Sequence, residues 1–459
     1  MAGPIALWAS SGRGNLWATV AMVGAGVAIM RAIVPKRERF EPPGPELNRT
    51  AQPRLHALLD RIAVRAGERP ADFVYLDLDV NAAVFEHRRR RIMLLGLPLL
   101  ATVDSDELSA VVAHEYGHFK GGDTTFGRWI WRTRVAVLAT VHELASSGHW
   151  FRRHVVRWPF QWYAALFLRI TNAVSRRAEF AADALAASVT SAEAAGRALR
   201  RVQAVSPAFD GYWQSDVAPM LESERRPPIA SGFATMTAHA ELASILDEIV
   251  MSDLDGAEPH PYDSDPTPRQ RLEALGVPLA GSAPAPAEHP ATELLDDLPY
   301  LERSLLGRCF GEEVATFRAA DWTEAATVHL ERLRATAERF GAAFGDELTI
   351  GSAGAAAADI ASRRAALRPL LAPEDREAPD ELLDGLLLNV LGALVVNAGV
   401  RAGASVTASP GEPVRISHGD VALDAWEPLR LIASGQADRS TWMRHPVVGA
   451  LQGTSLKAH

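Results

Sequence analysis

The run His114-Glu115-Tyr116-Gly117-His118 places two imidazoles four positions apart. On a helix that spacing sets them about 40° apart on one face, where both can reach a single zinc ion. Glu115 is too close in sequence to the first histidine to complete the same tetrahedron. It does sit beside the open coordination position, where it can take a proton from water. Zinc brings the pKa of such a water to about 7, and a glutamate can collect the proton and return it to a leaving amine. A catalytic zinc takes three protein ligands, and two histidines with one glutamate is a known set. Further along, SRRAEFAAD from Ser175 to Asp183 carries Glu179 and Asp183 one helical turn apart on a common face. Glu179 is the expected third ligand. Asp183 is expected to brace a ligand histidine through its other ring nitrogen.

Several elements must position these groups. Asp104 with Glu107 three residues on has the form of a capping box, and Leu108, Val111, Val112 and Phe119 then recur at helical spacing until Gly121-Gly122. The motif therefore falls inside an amphipathic helix. Before it, FVYLDLDVNAAVF from Phe73 to Phe85 and RRIMLLG from Arg90 to Gly96 read as two strands of a small sheet, preceded by a helix from about Arg54 to Arg65. The Arg88 to Arg91 run between the strands reads as a solvated turn, with contact to lipid headgroups as the lesser alternative.

Residues 16–34 are apolar over one membrane-spanning length with a single charge, Arg31, close enough to the end to snorkel. Lys36, Arg37 and Arg39 follow that stretch and only Arg13 precedes it, so the positive-inside bias puts the rest of the chain in the cytoplasm. Residues 129–172 mix tryptophans and arginines, as in a helical hairpin lying in a membrane interface or in core aromatics beside solvated arginines. The expected organisation is a membrane anchor over 1–39, a zinc metallopeptidase domain over 40–278, a linker over 279–290 and a helical domain over 291–459. In the last of these, Pro413 to Leu423 could form a hairpin. The expected fold class is mostly α with a small β-sheet.

With 56 Asp and Glu against 47 Lys and Arg, the net charge is −9, and no basic run dominates the catalytic or C-terminal parts, so nucleic acid is not an expected partner. Cys309 is the single cysteine, which excludes an intramolecular disulfide and a thiolate-rich zinc site. It reads as a small buried hydrophobe.

AHEYGHFKGGD followed by SRRAEFAAD closely resembles the HtpX and CAAX prenyl endopeptidase family of membrane-associated zinc peptidases, over roughly residues 35 to 275. That resemblance implies a gluzincin-type fold, one zinc per chain, and a polypeptide substrate, membrane-associated or misfolded, bound in extended form. Asn81-Ala82, at the end of the first predicted strand, resemble the family's substrate-binding edge strand. Arg271 keeps its family position, with Asp183 as its ion-pair partner. One position departs: where similar members have His-Pro, this chain has Asp265-Pro266. An aspartate cannot donate to an oxyanion unless protonated. Either His260 or Tyr262 substitutes, or the enzyme is slow. A catalytically weak or inactive relative that binds polypeptides or a membrane partner is therefore the alternative function.

Overall fold

The computed structural model describes residues 40–120, 174–256, 265–279, 286–345 and 347–457. The expected anchor at 16–34, the hairpin at 129–172, His260, Tyr262 and part of the linker lie outside the described residues. Those described are mostly helical with small sheets, an α+β chain, and fall into two compact units. One draws on residues 1–204 and 247–296, the other on 205–246 and 297–459.

In the first unit, α1 (Pro53–Ala66) opens on a proline in its first turn and closes on Gly67 in the left-handed region. Three strands follow: β1 (Phe73–Asp77), β2 (Ala82–His87) and β3 (Arg90–Gly96). The sheet order is β1-β3-β2, with β1 parallel and β2 antiparallel to β3. The sequence expectation of one strand from Phe73 to Phe85 is corrected here, because the chain turns between two strands. Asp77 accepts from the Leu78 N–H and the Asp79 carbonyl accepts from the Asn81 N–H, and such local bonds compete with a ladder. Asn81-Ala82 consequently stand at the start of β2, where the Asn81 carbonyl accepts from the Gly96 N–H at 2.8 Å. A Cβ on Gly96 would overlap the Asp79 carbonyl at 1.8 Å, so only glycine permits this crossing.

β2 and β3 are joined by a two-residue turn, Arg88-Arg89, both with positive φ (50° and 65°). This is the type I′ pattern that Asn-Gly fills best, and the left-handed region costs a residue with a Cβ about 1–2 kcal/mol. On the far side of β1, Leu47 and Leu76 extend the pairing through the Val74 and Pro45 carbonyls. No strand among the described residues pairs with the outer edge of β2.

After β3 come α2 (Leu97–Thr102) and α3 (Ser105–Lys120). The capping box is formed: Asp104 accepts from the Glu107 N–H at 2.7 Å while Glu107 accepts from the Asp104 N–H at 3.3 Å. Glu107 is buried and also holds Arg201 of α5 (Ala192–Tyr212), through the guanidinium Nε and Nη2 at 3.1 and 3.2 Å. α3 buries Leu108, Ala110, Val112, Ala113 and Tyr116. It lies so close to α4, residues 174–189, that a Cβ on Gly117 would sit 2.6 Å from the Ala182 Cα. Further along the unit is α6 (Pro268–Leu275), started by a Thr267–Gln270 capping box and stopped by Gly276 in the left-handed region.

The second unit packs around Asp380–Arg401, an apolar helix with buried Leu387, Val390, Leu391 and Val395. This helix is long and apolar enough to cross a membrane, yet 67% of that stretch is buried within the unit, as in a core helix. The Pro413–Leu423 expectation corresponds to strands Arg415–His418 and Val421–Asp424, paired antiparallel, with Ser405–Thr407 as a third strand. Cys309 corrects its expectation: it is exposed. The helix Leu298–Phe310 buries Leu301, Leu305 and Leu306, and its last turn, with Phe310, runs past that core. Two buried carboxyls stand out. Burial pushes Asp216 up to about 7 against the opposing Gly411 N–H, and burial likewise pushes Glu302 up to about 7 against the Ala230 N–H and Arg226.

Two outcomes follow from this packing. Gly→Ala within a helix ordinarily stabilises by about 1 kcal/mol, but at Gly117 the added methyl has no room, so Gly117→Ala should lower the melting temperature, by the ~1–3 kcal/mol of an overpacked contact. A rise in thermal denaturation would show that the two helices part freely. The raised pKa values of Asp216 and Glu302 stabilise the fold fully only below the unfolded value near 4, and that stabilisation drains away as pH rises towards about 7. The Asp216→Asn, Glu302→Gln double variant should therefore melt several degrees above wild type at pH 8 and lose that advantage at pH 5. An equal difference at both pH values would contradict it.

Candidate active site

The helix crossing at Gly117 and Ala182 faces one turn of α3 with one turn of α4, and every acid and imidazole singled out in these helices gathers there. His114 Nε2 stands 3.5 Å from Glu179 Oε2, and His118 Nε2 stands 3.6 Å from Glu179 Oε1. The two imidazoles are edge to face, with ring centroids 4.9 Å apart. His114, Glu115 and His118 each bring a ligand atom within 4.8 Å of the others. That grouping names Glu115 where the sequence pattern names Glu179. Each oxygen of Glu179, however, confronts one imidazole nitrogen, which Glu115 does not do.

Asp183 lies one turn beyond Glu179. Its Oδ1 is 2.9 Å from His114 Nδ1, the ring nitrogen that does not face Glu179. Arg271, from the first turn of α6, grips Asp183 with both arms of its guanidinium, Nε to Oδ2 at 2.8 Å and Nη2 to Oδ1 at 2.6 Å. Its Nη1 is 3.5 Å from Glu179. The capping box at Thr267 and the bond from Arg269 Nε to the Leu254 carbonyl hold α6 in place for this grip.

Electrostatics separate the two glutamates. For Glu179 burial opposes ionisation, but His114, Arg271 and His118 together outweigh it and hold its pKa below the ordinary value. For Glu115 burial dominates; Glu179 adds to it, His114, the Val84 N–H and Arg271 only partly offset it, and the carboxyl is pushed up to about 7. Burial disfavours a charged His114, yet its bonds to Asp183 and Glu179 raise its pKa to about 9. That rise shows how strongly the surrounding carboxylates favour positive charge where Nε2 points. Two imidazole nitrogens and a carboxylate in this field are a donor set suited to a divalent zinc-type cation. Asp183 is held low against its own burial by Arg271 and His114.

A cavity of about 160 Å³ opens beside these groups. Asn81 and Ala82, the start of β2, line it together with His114, Glu115, Asp183 and Arg271. Its remaining wall is apolar and comes from α2, α3, α4 and α5, including Leu99, Val111, Ala186, Ala198, Leu199 and Val202. Asp265 is exposed and is not part of the wall, though its charge reaches Arg271.

Sequence reasoning passed over two contributors. Gly117 stood in the motif as a variable position, although a glycine inside a helix is itself a sign of close packing. The apolar wall from α5 carried no chemical signal, since alanines and leucines at helical spacing read simply as core.

The profile of peptidase family M48 matches residues 49–277, the stretch that holds all of these groups. Among curated proteins, the chain is similar to a "Protease HtpX homolog" of Acidiphilium cryptum (strain JF-5), 32% identical over 200 residues that cover 40% of this chain and 65% of that one. No solved structure matches. On its matching stretch, with the paired histidines and Glu179 meeting at one point, the chain belongs to peptidase family M48.

Proposed function

We propose that this chain is a zinc-dependent endopeptidase. The observation that carries the reading is the pair of imidazole Nε2 atoms confronting opposite oxygens of Glu179, with Glu115 beside them at a pKa near 7. In this reading His114, His118 and Glu179 hold the metal and Glu115 is the general base. Zinc, when bound, supplies Lewis acidity towards water and a peptide carbonyl.

The chain's own residues do the remainder. Glu115 takes a proton from the attacking water and delivers it to the leaving amine; a carboxyl poised near neutral pH can do both. Asp183 accepts from His114 Nδ1–H, which fixes the tautomer and leaves the Nε2 lone pair facing Glu179. Arg271 keeps Asp183 ionised and offsets the charge of three neighbouring carboxylates. Asn81 and Ala82 take the substrate backbone, and the apolar wall takes one side chain next to the scissile bond. A dry cavity of ~150 Å³ holds a benzene ring, so a leucine, methionine or phenylalanine side chain fits where indole or a charged group does not.

The substrates would be unfolded or membrane-associated polypeptides. The membrane part of the proposal rests on the apolar run at residues 16–34 and the basic residues after it. A second reading, a polypeptide-binding relative with little turnover, draws on Asp265, an acid where an oxyanion donor is expected.

Purified chain at one zinc per molecule should cleave an unfolded protein, and Glu115→Gln at equal zinc content should lose at least the ~10²-fold that a general base supplies. Equal zinc and no cleavage by either protein would favour the binding reading. Ala198→Leu fills part of the cavity, so in cleavage-site profiling it should shift the preferred neighbour of the scissile bond from leucine or phenylalanine to alanine or glycine. An unchanged profile would mean the cavity does not read the substrate.

A further inference from the structure

We propose that the Arg88-Arg89 turn is a substrate-reading site, which selects an acidic pair in the polypeptide about four to six residues from the bond that is cut. The inference rests on the peptidase reading and adds a substrate class to it.

The turn is unusual in two independent ways. Both residues have positive φ in a two-residue hairpin, where asparagine and glycine cost least, so arginine twice over is not a choice for stability. Among the described residues their charges are also uncompensated. Asp72 is occupied by Arg69 at 2.9 Å, Arg90 at 3.3 Å and the Arg91 N–H at 2.7 Å. Arg91 turns inward to Glu68 at 2.9 Å and stacks over the Phe119 ring. Arg88 and Arg89 are exposed, and among the described residues no carboxylate pairs with either guanidinium.

The place of the turn supplies the link to catalysis. His87 and Arg90 close the hairpin as a hydrogen-bonded pair, so Ala82, Val84 and Glu86 aim their backbone groups away from β3. The Val84 N–H reaches the Glu115 carboxyl, which puts this outer edge at the catalytic base itself. A polypeptide added along the edge would pass Ala82 and Val84 and then meet the turn. From Val84 to Arg88 is four residues, about 13 Å at the rise of a strand. Two exposed guanidiniums at that distance complement two carboxylates on an extended substrate. Anionic lipid headgroups are the competing partner; they would use the same charges without any relation to the strand edge.

The test uses the full chain in detergent with quenched fluorescent peptides that share one cleavable core. An Asp-Asp pair is moved through positions three to eight on either side of that core, and Asn-Asn serves as control. The expected result is a gain of about three- to tenfold in kcat/KM, the size of two exposed ion pairs. The gain should appear through KM in one window on one side only and fade with added salt. In the Arg88→Asn, Arg89→Gly double variant the ratio of acidic to neutral peptide should fall to about one, while the melting temperature holds or rises because the turn is relieved. A ratio that persists in the variant overturns the proposal. So does a variant that leaves the ratio intact but releases the chain from vesicles containing phosphatidylglycerol, which would assign the turn to lipid. If no peptide is cleaved at all, the peptidase reading fails separately, and the zinc-loaded Glu115→Gln chain decides the turn: fluorescence anisotropy should show salt-sensitive binding of the acidic peptide that the added turn substitutions abolish, and equal binding with and without them sinks the idea.

Discussion

The close crossing of α3 and α4 at Gly117 and Ala182 is the contact on which the site depends. Only at that separation can one glutamate place an oxygen against each of two imidazoles that lie one turn apart on the opposing helix. The crossing also concentrates charge: Glu115, Glu179 and Asp183 share a small volume with His114 and His118. Carboxylates so close would repel one another without a counterweight, and Arg271 supplies part of it through two bonds to Asp183 and a contact with Glu179. A cation held between the imidazoles would supply the rest, which is why the field raises the pKa of His114 even though burial works against that charge. Packing and electrostatics are coupled here, because the contact that removes water from the carboxylates also brings the imidazoles that keep Glu179 and Asp183 ionised.

The sheet serves the same centre from the other side. β2 is held on one edge by β3, and its outer edge has no strand partner among the described residues, an arrangement proteins usually blunt because such an edge pairs with other chains. Here the edge begins at Asn81-Ala82 on the wall of the cavity and reaches Glu115 through the Val84 N–H. An exposed edge beside a base is suited to holding an extended backbone, since strand addition presents a peptide bond without requiring any particular side chain. On the proposed peptidase reading, specificity would come from the apolar cavity at one point and from charges further along the edge.

The second unit is built on different physics. Its core around the Asp380–Arg401 helix is largely aliphatic, and that helix is buried on most of its surface, so its apolar composition reflects packing within the unit. Close contacts there are set by small residues against indole rings. A Cβ on Gly354 would meet Trp442 at 2.8 Å, and one on Gly392 would meet the Trp426 ring at 2.4 Å. Trp442 satisfies its buried N–H on the Ile350 carbonyl at 2.7 Å. Asp216 and Glu302 are buried acids with few cationic neighbours, unlike Glu179 and Asp183 of the first unit, which cationic neighbours hold ionised.

The spacing of His114, Glu115 and His118 made their gathering legible in the sequence, because a helix converts a four-residue interval into a shared face whatever surrounds it. The same local logic made the Asp104–Glu107 cap, α1 and β3 readable, since each depends on residues within a few positions of one another. The division of Phe73–Phe85 into two strands was not readable, because the alternating pattern continues through a turn that only the aspartate side-chain bonds and the Gly96 crossing create. Cys309 was misplaced for a related reason: hydrophobicity gives a tendency to be buried, and only the length of the helix relative to its core decides where burial stops. Glu179 and Asp183 could be chosen by their one-turn spacing, but their distances to imidazoles more than sixty residues away were fixed by the glycine contact between two helices. The separation of the Glu115 and Glu179 pKa values lay wholly in the tertiary structure. It depends on which carboxylate loses water and which gains cationic neighbours, and no sequence interval encodes that.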